Sequence, residues 1–421
     1  MFDWMKQELK QGKTLLEFGF LKAVGQALGM IAPLAVAKFF SEELFGSYAL
    51  AKMIVFFFLT LLISSSQAPF IVLANQERKQ TGKINKTFSV QLLFVLVSIF
   101  AFLLISMAFH KVITAFAQIS FVDLVFMFLA FVGLALKSFV CNVFLAMGQR
   151  IKDSLAELVF GALTLALVFV FYWRGVINLR MVFLVYFISA VFVVFVFIKV
   201  IDFRQLRPFS IDKQHFKDML NFTKWLMFGA TAAYFVNWGD NLVLRFYVSM
   251  EDIGSYNLGY QVFKGMSMLT LILYSYFLPF VSQHIEDSGK MRSYLYNKRP
   301  KIFLPVIVII GLIFAVFPYI FRFVYGDVYQ DSIAVLRILL IGSVIVLYNV
   351  FYAPLLNALK KYKFTQGANI FQVLLNLLLD VLLVPVMGML GAAVATVIAY
   401  FSKGVILEVY FRVRLRKLLQ I

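Results

Sequence analysis

Long apolar segments alternate with short polar ones along the whole chain. A helix needs about 20 apolar residues to cross the roughly 30 Å hydrocarbon core of a bilayer. The pattern predicts about twelve transmembrane helices, and therefore an all-α polytopic membrane protein with little mass in water. The predicted helices lie near residues 14–39, 47–74, 87–109, 120–146, 155–173, 181–201, 222–247, 257–282, 302–321, 332–357, 365–386 and 389–411.

The composition agrees with lipid as the main solvent. The 421 residues are 62% hydrophobic and 14% charged, whereas soluble domains carry about 25% charged residues. The single cysteine, Cys141, excludes an internal disulfide framework. The three histidines are far apart in sequence and nothing has metal-ligand spacing, so the sequence predicts neither a metal site nor a cofactor.

The formal net charge of +18 follows the predicted membrane topology. In alternate connections, 27 Lys and Arg residues fall on one side of the membrane and 5 on the other. Because positive residues concentrate on the cytoplasmic side, both termini are expected in the cytoplasm, with an even number of helices. A charge distribution that follows topology in this way does not predict a nucleic-acid partner.

The two halves of the chain repeat each other at an offset of 208 residues. The segment LAVAKFFSEELFGSYALA, residues 34–51, aligns with LVLRFYVSMEDIGSYNLG, residues 242–259, and both contain Gly-Ser-Tyr. Six helices in each half give both halves the same orientation, so a parallel repeat is expected. The predicted organisation is a bundle over 1–201, a cytoplasmic linker over 202–221 and a second bundle over 222–421.

Two like six-helix bundles facing one another predict a central cavity that opens alternately to either side of the membrane. An old duplication in a protein that transports nothing is the alternative interpretation.

Several motifs carry a resemblance to a known family. They are FGSYALA at 45–51, IGSYNLG at 253–259, LAMGQRIK at 145–152, LNALKKYKF at 356–364 and VPVMGMLGAAVAT at 384–396. With the length and topology, they make the chain resemble polysaccharide transporters of the multidrug/oligosaccharidyl-lipid/polysaccharide exporter superfamily, and within it the O-antigen flippases of Gram-negative bacteria. The resemblance covers essentially the whole chain.

This resemblance implies a function in lipopolysaccharide biosynthesis. The substrate would be an oligosaccharide linked to undecaprenyl pyrophosphate, moved from the cytoplasmic to the periplasmic leaflet of the bacterial inner membrane. The partners would be membrane lipids and an O-antigen polymerase with its chain-length machinery.

Ionisable groups at membrane depth are costly and usually face a cavity or a partner. An excess of such cations favours an anionic guest such as a pyrophosphate. Alternatively, they pair with acids or reach lipid headgroups. The candidate substrate-binding cations are Lys22, Lys137, Lys264, Arg337, Lys403 and Arg245.

Polar residues also recur at helical spacing on three predicted helices, where they would line a passage for sugar hydroxyls. They could equally be interhelical hydrogen bonds, worth about 0.6 kcal/mol each. The candidate lining residues are Gln26, Asn237, Asn241, Asn369, Gln372 and Asn376.

Asp240 and Asp380 are the candidates for coupling to H⁺ or Na⁺. A carboxylate at low dielectric can load and release a cation or a proton. A salt bridge, for instance between Asp240 and Arg245, is the alternative.

Two other function classes are alternatives to the flippase. A membrane enzyme acting on lipid-linked sugars would need catalytic residues on sizeable outer loops, and the predicted outer loops are short and lack paired carboxylates with a base. A drug or cation antiporter of the same superfamily would carry an acidic cavity, whereas the predicted one is basic. The sequence therefore predicts a transporter and no enzyme.

Overall fold

The computed structural model describes the backbone of residues 2–416 and the side chains from Phe20 onward, except for 233, 267–269, 271–272, 275–276, 279, 362 and 415. Within this part of the chain the only regular structure is helix, as predicted. Short π or 3₁₀ turns lie at Leu59–Ile63, Ser64–Ser66, Phe203–Gln205, Tyr294–Lys298 and Phe411–Leu415. The α-helices are α1 (Phe2–Phe39), α2 (Glu42–Phe58), α3 (Gln67–Thr81), α4 (Asn85–Ala108), α5 (His110–Ala117), α6 (Phe121–Ala146), α7 (Arg150–Trp173), α8 (Leu179–Ile198), α9 (Lys213–Tyr247), α10 (Met250–His284), α11 (Ser288–Ser293), α12 (Arg299–Tyr325), α13 (Gln330–Asn349), α14 (Tyr352–Ala358), α15 (Tyr362–Met387) and α16 (Met389–Tyr410).

Ten helical segments in the described part of the chain are long and apolar enough to cross a membrane. The segments containing α9 and α10, predicted as the seventh and eighth spans, are not among them. In α9, the polar residues Asn237, Asp240 and Asn241 interrupt the apolar sequence. The exact twelve-helix layout therefore stays a prediction, although the all-helical, multi-pass character is confirmed.

The predicted helix over 47–74 is in fact two helices joined by a π turn and a 3₁₀ turn. The cause is local, because serine hydroxyls bond back to main-chain carbonyls and distort a helix. Ser65 Oγ donates to the carbonyl of Leu61 at 2.5 Å, and Ser66 Oγ donates to that of Ile63 at 2.8 Å. The irregular turn places Ser64 beside a polar chamber described below.

The chain folds into two compact units. The first comprises residues 2–40 and 47–234, and the second comprises 41–46 and 235–416. In the first unit, α1 packs along α7, and α6 packs along α8. In the second, α13 packs against α10 and α16, and α15 packs along α16. The pairs α6–α8 and α13–α16 occupy equivalent positions at the offset of 208 residues.

The Gly-Ser-Tyr repeat forms a close helix crossing within the second unit. A Cβ atom added to Gly46 would lie 2.1 Å from the carbonyl oxygen of Met250, and one added to Gly254 would lie 2.1 Å from that of Glu42. Position 250 is the repeat equivalent of position 42, so the two contacts are reciprocal. Only glycine allows two backbones to approach so closely.

Candidate functional site

Two partly buried ion pairs lie side by side in the first unit. Lys22 of α1 donates through Nζ to Asp153 Oδ2 of α7 at 2.8 Å. Lys137 of α6 donates to Glu157 Oε2, one turn further along α7, at 2.6 Å, and its Nζ also lies 4.1 Å from the ring centroid of Phe160. Two of the predicted substrate-binding cations are thus balanced by acids within their own unit.

A polar chamber of about 120 Å³ surrounds these four charges, which we call the charged quartet. The chamber is also lined by Ser64, Gln67, Ser138, Cys141 and Asn142. An anion that binds either lysine must displace a carboxylate or share the lysine with it. Each lysine can therefore exchange its carboxylate for another anion, but the four charges together have no net positive charge.

The second unit holds a cluster of acids and neutral donors, which we call the Asp240 cluster. Asp240 Oδ1 accepts from Asn376 Nδ2 at 2.5 Å, and its Oδ2 accepts from Thr396 Oγ1 at 2.9 Å and from the hydroxyl of Tyr256. Asn376 Nδ2 also donates to Asp380 Oδ2 at 3.1 Å. The cluster thus joins α9, α10, α15 and α16.

The two carboxyl groups of this cluster contact each other in a buried site. Asp380 is fully buried and Asp240 is 3% exposed. Within the described part of the chain, no N–H or O–H group donates a hydrogen bond to the buried Asp380 Oδ1. Two ionised carboxylates cannot stay in contact at low dielectric without positive charge between them. The geometry therefore requires a proton or a bound cation, and the carboxylate, hydroxyl and amide oxygens are ligands of the kind that hard cations prefer.

The other predicted cations have different surroundings. Lys403 Nζ donates to Gln372 Oε1 at 3.0 Å. Lys264 Nζ lies 3.9 Å from the ring centroid of Trp238 and 5.1 Å from that of Tyr260. The exposed Arg337 lies over the ring of Phe314, 5.4 Å from its centroid, and Arg245 is in the last turn of α9. Lys403, Lys264 and Arg337 thus each contact a different set of side chains.

The predicted amide residues divide into buried and accessible groups. Asn241 accepts from Asn257 Nδ2 at 2.5 Å, and Gln372 and Asn376 are held as described above. Gln26 and Asn237 are exposed, and Asn369 is half-buried. The three buried amides therefore stabilise helix contacts, whereas the other three have faces available to a ligand.

Sequence reasoning missed the partners that complete both sites. Neither Asp153 nor Glu157 is among the residues that the sequence pattern singles out. Tyr256 and Thr396 look like ordinary helix residues, although Tyr256 belongs to the Gly-Ser-Tyr repeat. In the described residues, no group of three or more His, Cys, Asp and Glu side chains is arranged to hold a metal ion.

Comparison with known proteins gives one family. The sequence profile described as "Polysaccharide biosynthesis protein" matches residues 35–334. Among curated proteins, the probable low-salt glycan biosynthesis flippase Agl15 of Haloferax volcanii is 25% identical over 209 residues, which is 48% of this chain and 44% of that protein. An uncharacterised membrane protein of Methanocaldococcus jannaschii, MJ1068, is 22% identical over 215 residues, 48% of this chain and 40% of that protein. The matches thus span less than half the length of each relative.

Solved structures share the fold over nearly the whole chain. The lipid II flippase MurJ, in an inward closed conformation, has a TM-score of 0.77 at 16% identity, covering 94% of this chain and 87% of MurJ. An inward-facing multidrug resistance MATE family transporter of the MOP superfamily has a TM-score of 0.67 at 14% identity, covering 96% and 95%. The predicted family resemblance is confirmed, and this chain belongs to the family of polysaccharide biosynthesis proteins.

Proposed function

We propose that the protein is a flippase for a lipid-linked oligosaccharide. The observation that carries this proposal is the pair of organised charged sites at membrane depth, one in each unit, in a chain of this family with a transporter fold. Buried ionisable groups in a membrane protein cost free energy and commonly mark a substrate or ion pathway. The flippase named among the relatives and the MurJ fold support the same class of substrate.

The substrate we propose is an oligosaccharide repeat unit on undecaprenyl pyrophosphate. Lys264, whose Nζ lies over the ring of Trp238, and Arg337, which is exposed beside Phe314, would supply the positive charge that a pyrophosphate needs. Asn237 and Asn369 would offer amides to sugar hydroxyls. The head would cross by alternating access while the polyprenyl tail stays in lipid. Both termini would face the cytoplasm of a bacterial inner membrane, as the 27-to-5 charge distribution predicts.

We further propose that transport is coupled to H⁺ or Na⁺ at the Asp240 cluster. Because two carboxyls in contact need one positive charge, loading and release of that charge would alter the packing of α9 against α15 and α16. A salt bridge from Asp240 to Arg245 is not required by this geometry, since the donors that contact Asp240 are neutral.

Deletion in the native host tests the flippase. We expect loss of surface glycan and accumulation of the lipid-linked repeat on the cytoplasmic face of the membrane. Lys264→Ala and Arg337→Ala should each impair rescue at normal protein levels, whereas Lys363→Ala, an exposed lysine near the start of α15, should rescue fully. Unchanged glycan with no accumulated repeat would refute the proposal, and a change in drug susceptibility alone would support the antiporter instead.

Transport in proteoliposomes tests the coupling. A Na⁺ gradient or a pH gradient should accelerate flipping of a lipid-linked oligosaccharide by the wild type. Asp240→Asn and Asp380→Asn should abolish the response to the gradient, and the exposed Asp331→Asn in the first turn of α13 should retain it. Equal flipping with and without either gradient would refute coupling without refuting the flippase.

A further inference from the structure

The second unit contains a basic cavity that the proposed transport route does not use. It has a volume of about 450 Å³. It lies where the first turn of α12, the ends of α13 and α16 and the following π turn meet. The residues that line it include Arg299, Phe303, Tyr348, Glu408, Arg412 and Arg416.

A buried arginine forms one wall of this basic cavity. Arg299 is 8% exposed, and its guanidinium carbon lies 3.5 Å from the ring centroid of Tyr348. It donates to the hydroxyl of Tyr352 at 3.0 Å and to the carbonyl of Tyr348 at 3.3 Å. Stacking and two hydrogen bonds hold the guanidinium in a fixed orientation, and a fixed guanidinium is well suited to bind phosphate.

The remaining charges leave the cavity positive. Glu408 accepts from Arg412 Nε at 2.6 Å and from the hydroxyl of Tyr352. Arg299, Arg412 and Arg416 therefore outnumber the single carboxylate that lines the cavity. Basic pockets between transmembrane helices at the cytoplasmic side bind the head groups of anionic lipids.

An apolar groove of about 340 Å³ continues from the basic cavity. The two share Phe303, Tyr348 and Glu408. The rest of the groove is lined by Val344, Ile345, Asn349, Phe401, Gly404, Val405 and Val409. Phe401 is 58% and Val409 is 53% exposed on a membrane-spanning segment, so the groove opens towards lipid.

We propose that the cavity and groove together bind one anionic glycerophospholipid. Its phosphate would contact the arginines, and one acyl chain would lie in the groove. The arginines suit a phosphate, and the adjoining groove suits an acyl chain because all but two of the residues that line it, Asn349 and Glu408, have apolar or aromatic side chains or none. This site would anchor the ends of α12 and α16 to the membrane surface whether or not the protein is a flippase.

The test is thermal stabilisation of the purified, delipidated full-length chain by added lipid. Phosphatidylglycerol should raise the melting temperature in a saturable manner, and phosphatidylcholine with the same acyl chains should not. Arg412→Ala/Arg416→Ala should weaken apparent phosphatidylglycerol affinity about 25-fold, or about fivefold for each arginine. Arg414→Ala, from the same π turn but outside the cavity lining, is the matched control and should retain wild-type affinity.

A second variant tests the groove without changing charge. Val405→Trp should fill the groove and abolish the difference between the two phospholipids, while the arginines remain. Equal stabilisation by inorganic phosphate would overturn the lipid site in favour of a free-anion site. Equal stabilisation by both phospholipids, or identical behaviour of the double variant and Arg414→Ala, would overturn the specific site. Stabilisation by undecaprenyl phosphate but not by phosphatidylglycerol would overturn the choice of lipid.

Discussion

The glycine crossing in the second unit gives a stringent prediction. Gly46→Ala adds one methyl group at a point where the nearest atom, the carbonyl oxygen of Met250, would be 2.1 Å away. Contacts of Cβ atoms below 3.0 Å essentially do not occur, so the two helices must separate by about 0.9 Å. The obstructing atom belongs to the backbone and cannot rotate away.

The expected cost follows from two opposing effects. Overpacking of this kind costs about 1–3 kcal/mol, and a clash with backbone belongs at the upper end. Replacement of glycine by alanine inside a helix stabilises the helix by up to about 1 kcal/mol. We expect a net destabilisation of about 2 kcal/mol, or a melting temperature lower by about 4–8 °C for a unit of this size.

The assay is thermal unfolding of the purified protein in detergent or nanodiscs. The matched control is Gly29→Ala in α1, because no heavy atom of the described chain lies within 4 Å of a Cβ at that position. This control should be neutral or slightly stabilising. In Gly46→Ala/Gly254→Ala, one separation accommodates both methyl groups, so the combined loss should be smaller than the sum of the single losses. A Gly46→Ala protein as stable as Gly29→Ala would refute the reasoning.

Three further predictions concern the packing of each unit. Lys22→Met should destabilise the protein by about 2–3 kcal/mol, because it leaves the 2%-exposed side chain of Asp153 without its cation, whereas Lys22→Arg should preserve stability in the same melting assay. Cys141 is 6% exposed and should react with a maleimide only after unfolding, so rapid labelling of the native protein would contradict its burial. Gly391→Ala places a Cβ 2.5 Å from a carbonyl oxygen of α15 and should lower the yield of folded protein, while Gly367→Ala, with open space around it, should not.

Hydrophobic pattern and composition determined the class of protein. A helix that crosses the bilayer needs a run of apolar residues as long as the bilayer is thick, and the length of such a run can be read from the sequence. The helices over 120–146 and 389–411 were predicted to within one residue of α6 and α16. The Gly-Ser-Tyr repeat was also visible, because duplication leaves the same residues at a fixed offset.

The helix breaks and the long polar helix were harder to predict. A hydropathy window cannot distinguish a continuous helix from one interrupted at Ser64–Ser66, because the interruption depends on where each hydroxyl finds an acceptor. The α9 helix was predicted as a span from 222 to 247 but begins at Lys213, since its polar first turns continue the same hydrogen-bond ladder outside the apolar segment.

The sequence by itself determined which residues carry charge at membrane depth, but only the tertiary structure decided what each charge faces. Lys22 and Asp153 are 131 residues apart, and Asp240 and Thr396 are 156 apart. The predicted spans leave Arg299 in the connection before the helix near 302–321, yet its side chain is buried against Tyr348 and Tyr352. Hydropathy depends on neighbours along the chain, whereas the partner of a buried charge depends on which helices pack together, and that information is absent from a single linear pattern.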